Sequence, residues 1–368
     1  MQKLFTYNKI NNNLKKREAL HYIAFMKFWA MILILRWHLY RWKRRRIDYG
    51  ARMSEFLFVS SGFLVGYNYY KRAMPATYEA SFKYAYKHLR AFYPLHIINS
   101  ICCAIYLNLK FTLTNCEMLI FNFLLVKAWS KYVSYGMGFN GISWFVSVLL
   151  FLYFLSPFLL QGIKSIKNSL IIFIFVAISR LGIGLLIKNG AVNFMDINFH
   201  RGPIIKAMDF YLGMLVIPLF LRIKESLDII QNNICVKCFF TIIQLVFPFV
   251  IYIIMLKYRF LDRMYFVFIF VVSIFIIGFD YGYISNIIKK KICKEIMSCQ
   301  MEMYLSHINL NKILVKIMKN NWPKNNELAF FINCIFIFIN AYAYKKLLKD
   351  KLAIFMDKIV EHFKKIFD

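Results

Sequence analysis

Charged residues are scarce in this 368-residue chain, at 18% of positions, and acidic ones are scarcer still: 18 Asp and Glu stand against 48 Lys and Arg. A soluble domain carries roughly a quarter charged residues and about 45–50% apolar ones. Here 60% are hydrophobic, so too few polar side chains remain to solvate a globule of this size. A cleavage signal is also missing. The opening segment "MQKLFTYNKINNNLKKREAL" is polar and basic, and no small-residue site follows the first apolar run, so no removable signal peptide is expected. The eight cysteines form no disulfide framework. One C-x-x-C pair, Cys235 and Cys238, has no second Cys or His pair at metal spacing, so no metal is expected. No internal repeat is visible, and no stretch between apolar runs is long enough for a second folded domain.

What the chain does have is long apolar runs from end to end. Crossing about 30 Å of hydrocarbon takes roughly 20 apolar residues in a helix. By that measure spans fall near 20–39, 53–70, 88–108, 142–161, 168–187, 203–221, 234–256, 262–280, 298–317 and 328–344. The stretch 116–130, "CEMLIFNFLLVKAWS", is too short and carries charge at both ends; it is expected to be re-entrant or interfacial. The expected fold is therefore an all-α, polytopic membrane helix bundle of about ten transmembrane helices. Lys and Arg collect in the segments that an inside N-terminus leaves inside, apart from the first outer loop "RWKRRRIDYGAR". Both termini are therefore expected inside. The implied organisation is a basic tail (1–19), an integral membrane domain (20–346) and a basic amphipathic tail (347–368) suited to the inner membrane surface.

The net charge of +30 points to membrane lipids rather than nucleic acid. The charges lie mostly between apolar runs, where they fix topology and meet anionic head groups, and no groove-reading motif is present. The expected location is a multi-pass position in the cell inner or plasma membrane.

Polar residues gather at a few places. The first span, "HYIAFMKFWAMILILRWHLY", carries Arg36 and His38 at its outer end. An imidazole there suits a proton acceptor, or an interfacial residue in an aromatic belt with Trp37 and Tyr40. Glu55 opens the second span, in "RMSEFLFVSSGFLVGY". It is placed either to orient His38 as an activated base or to pair with Arg52 or Arg36. The small residues at 60–62 suit either close helix approach or room for a substrate chain beside Ser61. In "YKHLRAFYPLH", Lys87 and Arg90 share a helix face at the inner side, fit for a phosphate-bearing donor or for a plain topological anchor. In "MEMYLSHINL", Tyr304 and His307 are helix neighbours while Glu302 points elsewhere; an intramembrane histidine is a functional candidate, with fold-stabilising hydrogen bonding as the alternative.

Taken together, these segments resemble the acyltransferase-3 family of integral membrane enzymes. The histidine of "RWHLY", the run "SEFLFVSSGFLVGY", the basic element "KHLRAFYP", the Trp-led helix "GISWFVSVLLFLYFLSP", "FYLGMLV" and "MYLSHI" occur in the family's order over residues 20 to 346. The chain departs from many members in lacking a Glu in the Trp-led helix, in carrying Lys87 where Arg is common, and in having no appended soluble esterase-like domain. It is closest in pattern to members that modify surface polysaccharides. The resemblance implies transfer of an acyl group, most simply acetyl, from acetyl-CoA as co-substrate to a hydroxyl of a cell-envelope or surface polysaccharide. His38 would be the base and Glu55 its orienting partner, with Lys87 and Arg90 on the donor's phosphates. Ser61, Trp144, Tyr304 and His307 would line a tunnel, and Arg36 and Arg52 would face the carbohydrate acceptor. The competing readings are a transporter or flippase of a glycan or lipid-linked sugar, and an acyltransferase using another donor such as succinyl-CoA.

Overall fold

The computed structural model describes residues 19–41, 49–70, 74–106, 112–130, 138–189, 201–257, 263–318, 323 and 325–367. The basic N-terminal tail and most of the loop "RWKRRRIDYGAR" lie outside the described residues. Among those described there is no strand. The helices are α1 (His21–Arg41), α2 (Tyr49–Tyr69), α3 (Tyr78–Tyr106), α4 (Leu113–Phe123), α5 (Trp144–Leu159), α6 (Ile166–Lys188), α7 (Pro203–Leu215), α8 (Ile217–Asp228), α9 (Ile234–Lys257), α10 (Arg263–Ile277), α11 (Tyr283–Ile288), α12 (Lys291–Met297), α13 (Gln300–Met318), α14 (Asn326–Leu347) and α15 (Lys349–Phe367).

Six helical stretches are long and apolar enough to cross a membrane: His21–Leu39, Gly141–Ile163, Ile166–Leu186, Pro203–Asp228, Ile234–Lys257 and Asn326–Leu347. The protein is thus a multi-pass, all-helical membrane protein. The four remaining runs read as spans also fall on helices, α2, α3, α10 and α13, which are shorter or more polar. Helix α4 has 11 residues, a length of about 16 Å, and does not cross a hydrocarbon layer.

Burial explains the division. Helix α2 buries 18 of its 21 residues, Arg52, Ser54, Glu55, Ser60 and Ser61 among them, so these polar side chains meet protein and not lipid. The outer helices do the opposite. Ile171, Ile174, Phe175 and Ile178 of α6 and Ile242, Phe249 and Ile253 of α9 stand exposed, at the spacing of one helix face. In water that would be a liability; against acyl chains it is the expected outer surface.

Helices α2 and α7 cross at glycine. A Cβ on Gly62 would fall inside contact distance of the Phe210 carbonyl, and one on Gly213 inside that of the Val59 carbonyl. The close approach offered by the small residues at 60–62 is realised here, as in other membrane helix pairs with glycine at the contact.

The entry to α1 is closed from far along the chain. The first backbone donors of a helix have no partner within it. Asp280 supplies one, its carboxylate accepting from the N–H groups of His21 (2.9 Å) and Tyr22 (3.0 Å). Asp280 has φ 60°, a left-handed conformation that Asp tolerates better than most residues, and Ser285 donates to the same carboxylate.

The C-terminal helix α15 folds against α3. Asp357 accepts from Tyr86 Oη (2.8 Å) and pairs with Arg90 (3.1 Å), while Lys349 Nζ meets Glu302 (2.6 Å). Tyr86 precedes the apolar run 88–108, and burial, reinforced by the Asp357 carboxylate, pushes its phenol up to about 12.

Candidate functional site

The C-terminal end of α1, the C-terminal half of α13, the N-terminal half of α14 and the segment before α5 enclose a cavity of about 440 Å³. Its polar wall is His38, His307, Asn311, Lys312 and Asn333, and its apolar wall includes Leu35, Leu39 and Phe139. An ion pair between Arg36 Nη2 and Glu327 Oε1 (2.7 Å) ties α1 to the start of α14, where Asn325 Oδ1 caps the helix by accepting from the N–H groups of Glu327 and Leu328.

Two imidazoles lie in contact with each other in the wall of this space. The rings of His38 and His307 have centroids 4.9 Å apart, and Trp37 packs edge-on to His38 at 4.6 Å. His307 Nδ1 lies 2.7 Å from the Tyr304 carbonyl. A carbonyl only accepts, so Nδ1 carries the proton and, in the neutral ring, Nε2 presents a lone pair. That Nε2 is buried with no hydrogen-bond partner in the protein, and so are Asn311 Oδ1 and Asn333 Oδ1. All three residues line the cavity, and each keeps a buried acceptor that no protein donor meets, an uncommon arrangement because buried polar groups are usually paired.

The wall carrying Phe139 is built around a buried cation. Lys127 is fully buried, and its Nζ donates toward Asn122 Oδ1 (3.0 Å), Gly138 O (2.8 Å), Asn140 O (3.0 Å) and Ser143 Oγ (3.1 Å). The carbonyls on both sides of Phe139 are thereby gathered onto one ammonium. Phe139 itself sits at φ 53°, a left-handed conformation that costs a bulky residue about 1–2 kcal/mol and is held by these bonds. Asn140 Nδ2 continues the network to the Leu305 carbonyl (2.9 Å), two residues before His307. We expect Lys127→Met to take the donor from the Gly138 carbonyl and the cation from Asn122, Asn140 and Ser143, which still bond to one another, and to cost about 1–3 kcal/mol. The measurement is the apparent melting temperature of detergent-solubilised protein; no change would mean the segment is held by its apolar contacts.

The other residues expected at a site lie elsewhere. Glu55 was expected beside His38; the hydrogen bond seen for it runs to Lys206 Nζ (3.3 Å). Lys206 also meets Asp209 Oδ2 (3.1 Å), and Arg180 Nε meets Asp209 Oδ1 (2.8 Å), with all four side chains fully buried. The small carrier of the His307 tautomer is thus a backbone carbonyl, and the carboxylate belongs to a separate charge cluster between α2, α6 and α7. Arg52 is buried, donating to the Met255 carbonyl (3.0 Å) with its guanidinium 4.1 Å from the Phe266 ring centroid. Ser61 Oγ bonds back to the Leu57 carbonyl (2.7 Å). Trp144 packs in the core with Phe58 and Phe145. Tyr304 stays near His307, ring centroids 5.8 Å apart, with its hydroxyl on the Ile142 carbonyl (3.3 Å). Lys87 is exposed on α3, and Arg90 is engaged by Asp357.

Sequence reasoning passed over Lys127, Lys206, Asp209 and Arg180. A signal existed for two of them: Lys206 and Asp209 lie three apart inside an apolar run, and ionisable residues at membrane depth are rare enough to be informative. Among the described residues no group of three His, Cys, Asp or Glu side chains could hold a metal ion. Comparison with protein-family models, with curated proteins and with solved structures gives no match.

Proposed function

We propose that the chain is a membrane-bound acyltransferase of the acyltransferase-3 type, moving an acetyl group from acetyl-CoA to a hydroxyl of a cell-envelope or surface polysaccharide. The observation that carries the reading is the cavity lined by both His38 and His307, with the Nδ1 proton of His307 held on the Tyr304 carbonyl so that Nε2 is its basic nitrogen. In this reading the acceptor hydroxyl gives its proton to His307 Nε2 as its oxygen attacks the thioester carbonyl. The new C–O bond forms, the C–S bond breaks, and the proton passes to the departing thiolate of CoA. A positioned base of this kind supplies about 10²–10⁴-fold. His38, packed against His307, forms the adjoining part of the same wall. The base is thus assigned to the second histidine rather than to the first.

The same reading has ten crossings, both termini inside, and the donor's phosphates at Lys87 and Arg90. Arg90 then exchanges Asp357 for phosphate oxygens when the donor arrives. Fixed positive charge on α3 and a cavity at the other end of α1 from Asp280 favour a donor and an acceptor that enter from opposite sides.

The test uses membranes carrying the wild type, His307→Ala or His38→Ala at matched levels, supplied with radiolabelled acetyl-CoA. Label in alkali-labile ester of the envelope glycan fraction is expected in the wild type, reduced about 10²–10⁴-fold in His307→Ala. Equal label in wild type and His307→Ala removes that histidine from the chemistry. No label in any sample, with acetyl-CoA or succinyl-CoA, sinks the acyltransferase reading and favours a glycan transporter.

A further inference from the structure

The C-terminal ends of α3 and α13 carry groups that acyl transfer does not use. The two helices are joined where Asn309 Nδ2 donates to the Asn99 carbonyl (2.8 Å). Along this pair α3 exposes Ile98, Ile101, Ile105 and Tyr106, at the spacing of one helix face, and α13 exposes Ile313 and Ile317. Lys312 and Lys316, one turn apart on α13, both reach the ring of Tyr106, with Nζ 5.6 and 5.8 Å from its centroid. These are the distances of a cation over an aromatic ring, and they bring both lysines to the exposed face of α3. Among the described residues neither lysine has a carboxylate within ion-pair distance.

Cations near a helix C-terminus are ordinary, since they complement the helix dipole. Two features go beyond that here. Like charges four apart on a helix repel, yet both ammonium groups are drawn to one ring, so an anion beside that ring would relieve them. The exposed isoleucines also continue down α3 for about 12 Å from Tyr106, an outer surface suited to an acyl chain. Cations, then tyrosine, then an apolar stripe is the depth order of a phospholipid: phosphate, glycerol and ester region, chain. Tyrosine is at home at the head-group level. We propose that this edge of the bundle binds an anionic phospholipid. Its phosphate lies between Lys312 and Lys316, its glycerol and ester region rests on Tyr106, and a chain follows Ile105, Ile101 and Ile98. A zwitterionic lipid would bring its own cation toward two lysines, and free phosphate would leave the isoleucine stripe uncovered. The site depends on the chain's place in a membrane and not on the acyltransferase reading.

The experiment is native mass spectrometry of the full chain released from detergent micelles, doped with equal amounts of phosphatidylglycerol and phosphatidylcholine of the same chain length. We expect a one-lipid adduct of phosphatidylglycerol about tenfold or more abundant than that of phosphatidylcholine, the scale of two lysines near an anionic head group. The preference should weaken with added salt. The Lys312→Gln/Lys316→Gln variant changes side chains outside the packed core, so it should keep its melting temperature and lose most of the preference. Lys289→Gln/Lys290→Gln removes the same charge from two exposed lysines elsewhere and should keep the preference. Glycerol 1-phosphate, which has the anion and no chain, should not compete at the concentration where the lipid binds. Equal retention of the two lipids overturns the proposal, as does retention of neither. An equal loss of preference in the two lysine variants assigns the effect to net charge and also overturns it. Competition by glycerol 1-phosphate as strong as that by the lipid would mean a simple anion contact and would remove the isoleucine stripe from the site.

Discussion

Gly213→Leu is expected to leave no recoverable folded protein, and Gly213→Ala to cost about 3 kcal/mol. The reason is what stands opposite. A Cβ at 213 meets the Val59 carbonyl, and one at 62 meets the Phe210 carbonyl. These are backbone atoms in helix interiors, so no rotamer change can clear them. Overpacking a core usually costs about 1–3 kcal/mol; here the only relief is to separate α2 from α7. Separation would expose the helix that buries 18 of its 21 residues. The measure is the yield of monodisperse protein after detergent extraction and its melting temperature. Gly182, on α6, is the control. Nothing lies within 4 Å of a Cβ built there, so Gly182→Ala should be neutral or stabilise by about 0.5–1 kcal/mol through helix propensity alone. Equal yields for Gly182→Ala and Gly213→Leu would show that α2 and α7 are not in the contact described.

Lys206→Met is expected to destabilise by about 3–5 kcal/mol. Lys206 is the one cation shared by Glu55 and Asp209, at 3.3 and 3.1 Å, and all three are fully buried. Removing it takes a buried cation from beside two carboxylates, of which Asp209 keeps Arg180, and breaking a buried pair costs far more than the pair contributes relative to apolar residues of its size. A double variant tests the cause. Lys206→Met/Glu55→Gln also removes the carboxylate charge that Lys206 balanced and should recover part of the loss, with Asp209 still paired to Arg180 at 2.8 Å. Additive losses in this cycle would mean that Glu55 and Lys206 do not interact, since coupled neighbours depart from additivity by about 0.5–3 kcal/mol.

Much of the architecture was legible in the apolar runs. All ten expected spans fall on helices, because a run of that length and composition has few other ways to satisfy its backbone in lipid. The shortness of 116–130 was also readable, and α4 is 11 residues long. The site was only half legible. His38 and His307 stood out as histidines at membrane depth, yet nothing in either segment says that α1 and α13 are neighbours. Glu55 shows the same limit from the other side. The loop shared by the first two spans suggested His38 for it, with Arg52 or Arg36 as the alternative, while its observed partner Lys206 lies 151 residues away. Lys127 was visible as a charge at the end of a short apolar run and was taken for an edge marker. Its burial depends on Asn122, Gly138, Asn140 and Ser143 arriving together, which no local pattern encodes. Helix pairing decides these points, and pairing is a long-range property.

The closure of α1 by Asp280 has a consequence for biosynthesis. The two residues joined at His21 are 259 positions apart, so the ribosome delivers the first helix long before the carboxylate that completes it. At about 5–20 residues per second the delay is on the order of tens of seconds. Throughout that interval the leading amides of α1 must borrow partners from water or head groups at the membrane surface, and the helix cannot settle to its final depth. Assembly of this bundle therefore joins an early segment to a late one: α1 is locked at its start only after Asp280 has been made.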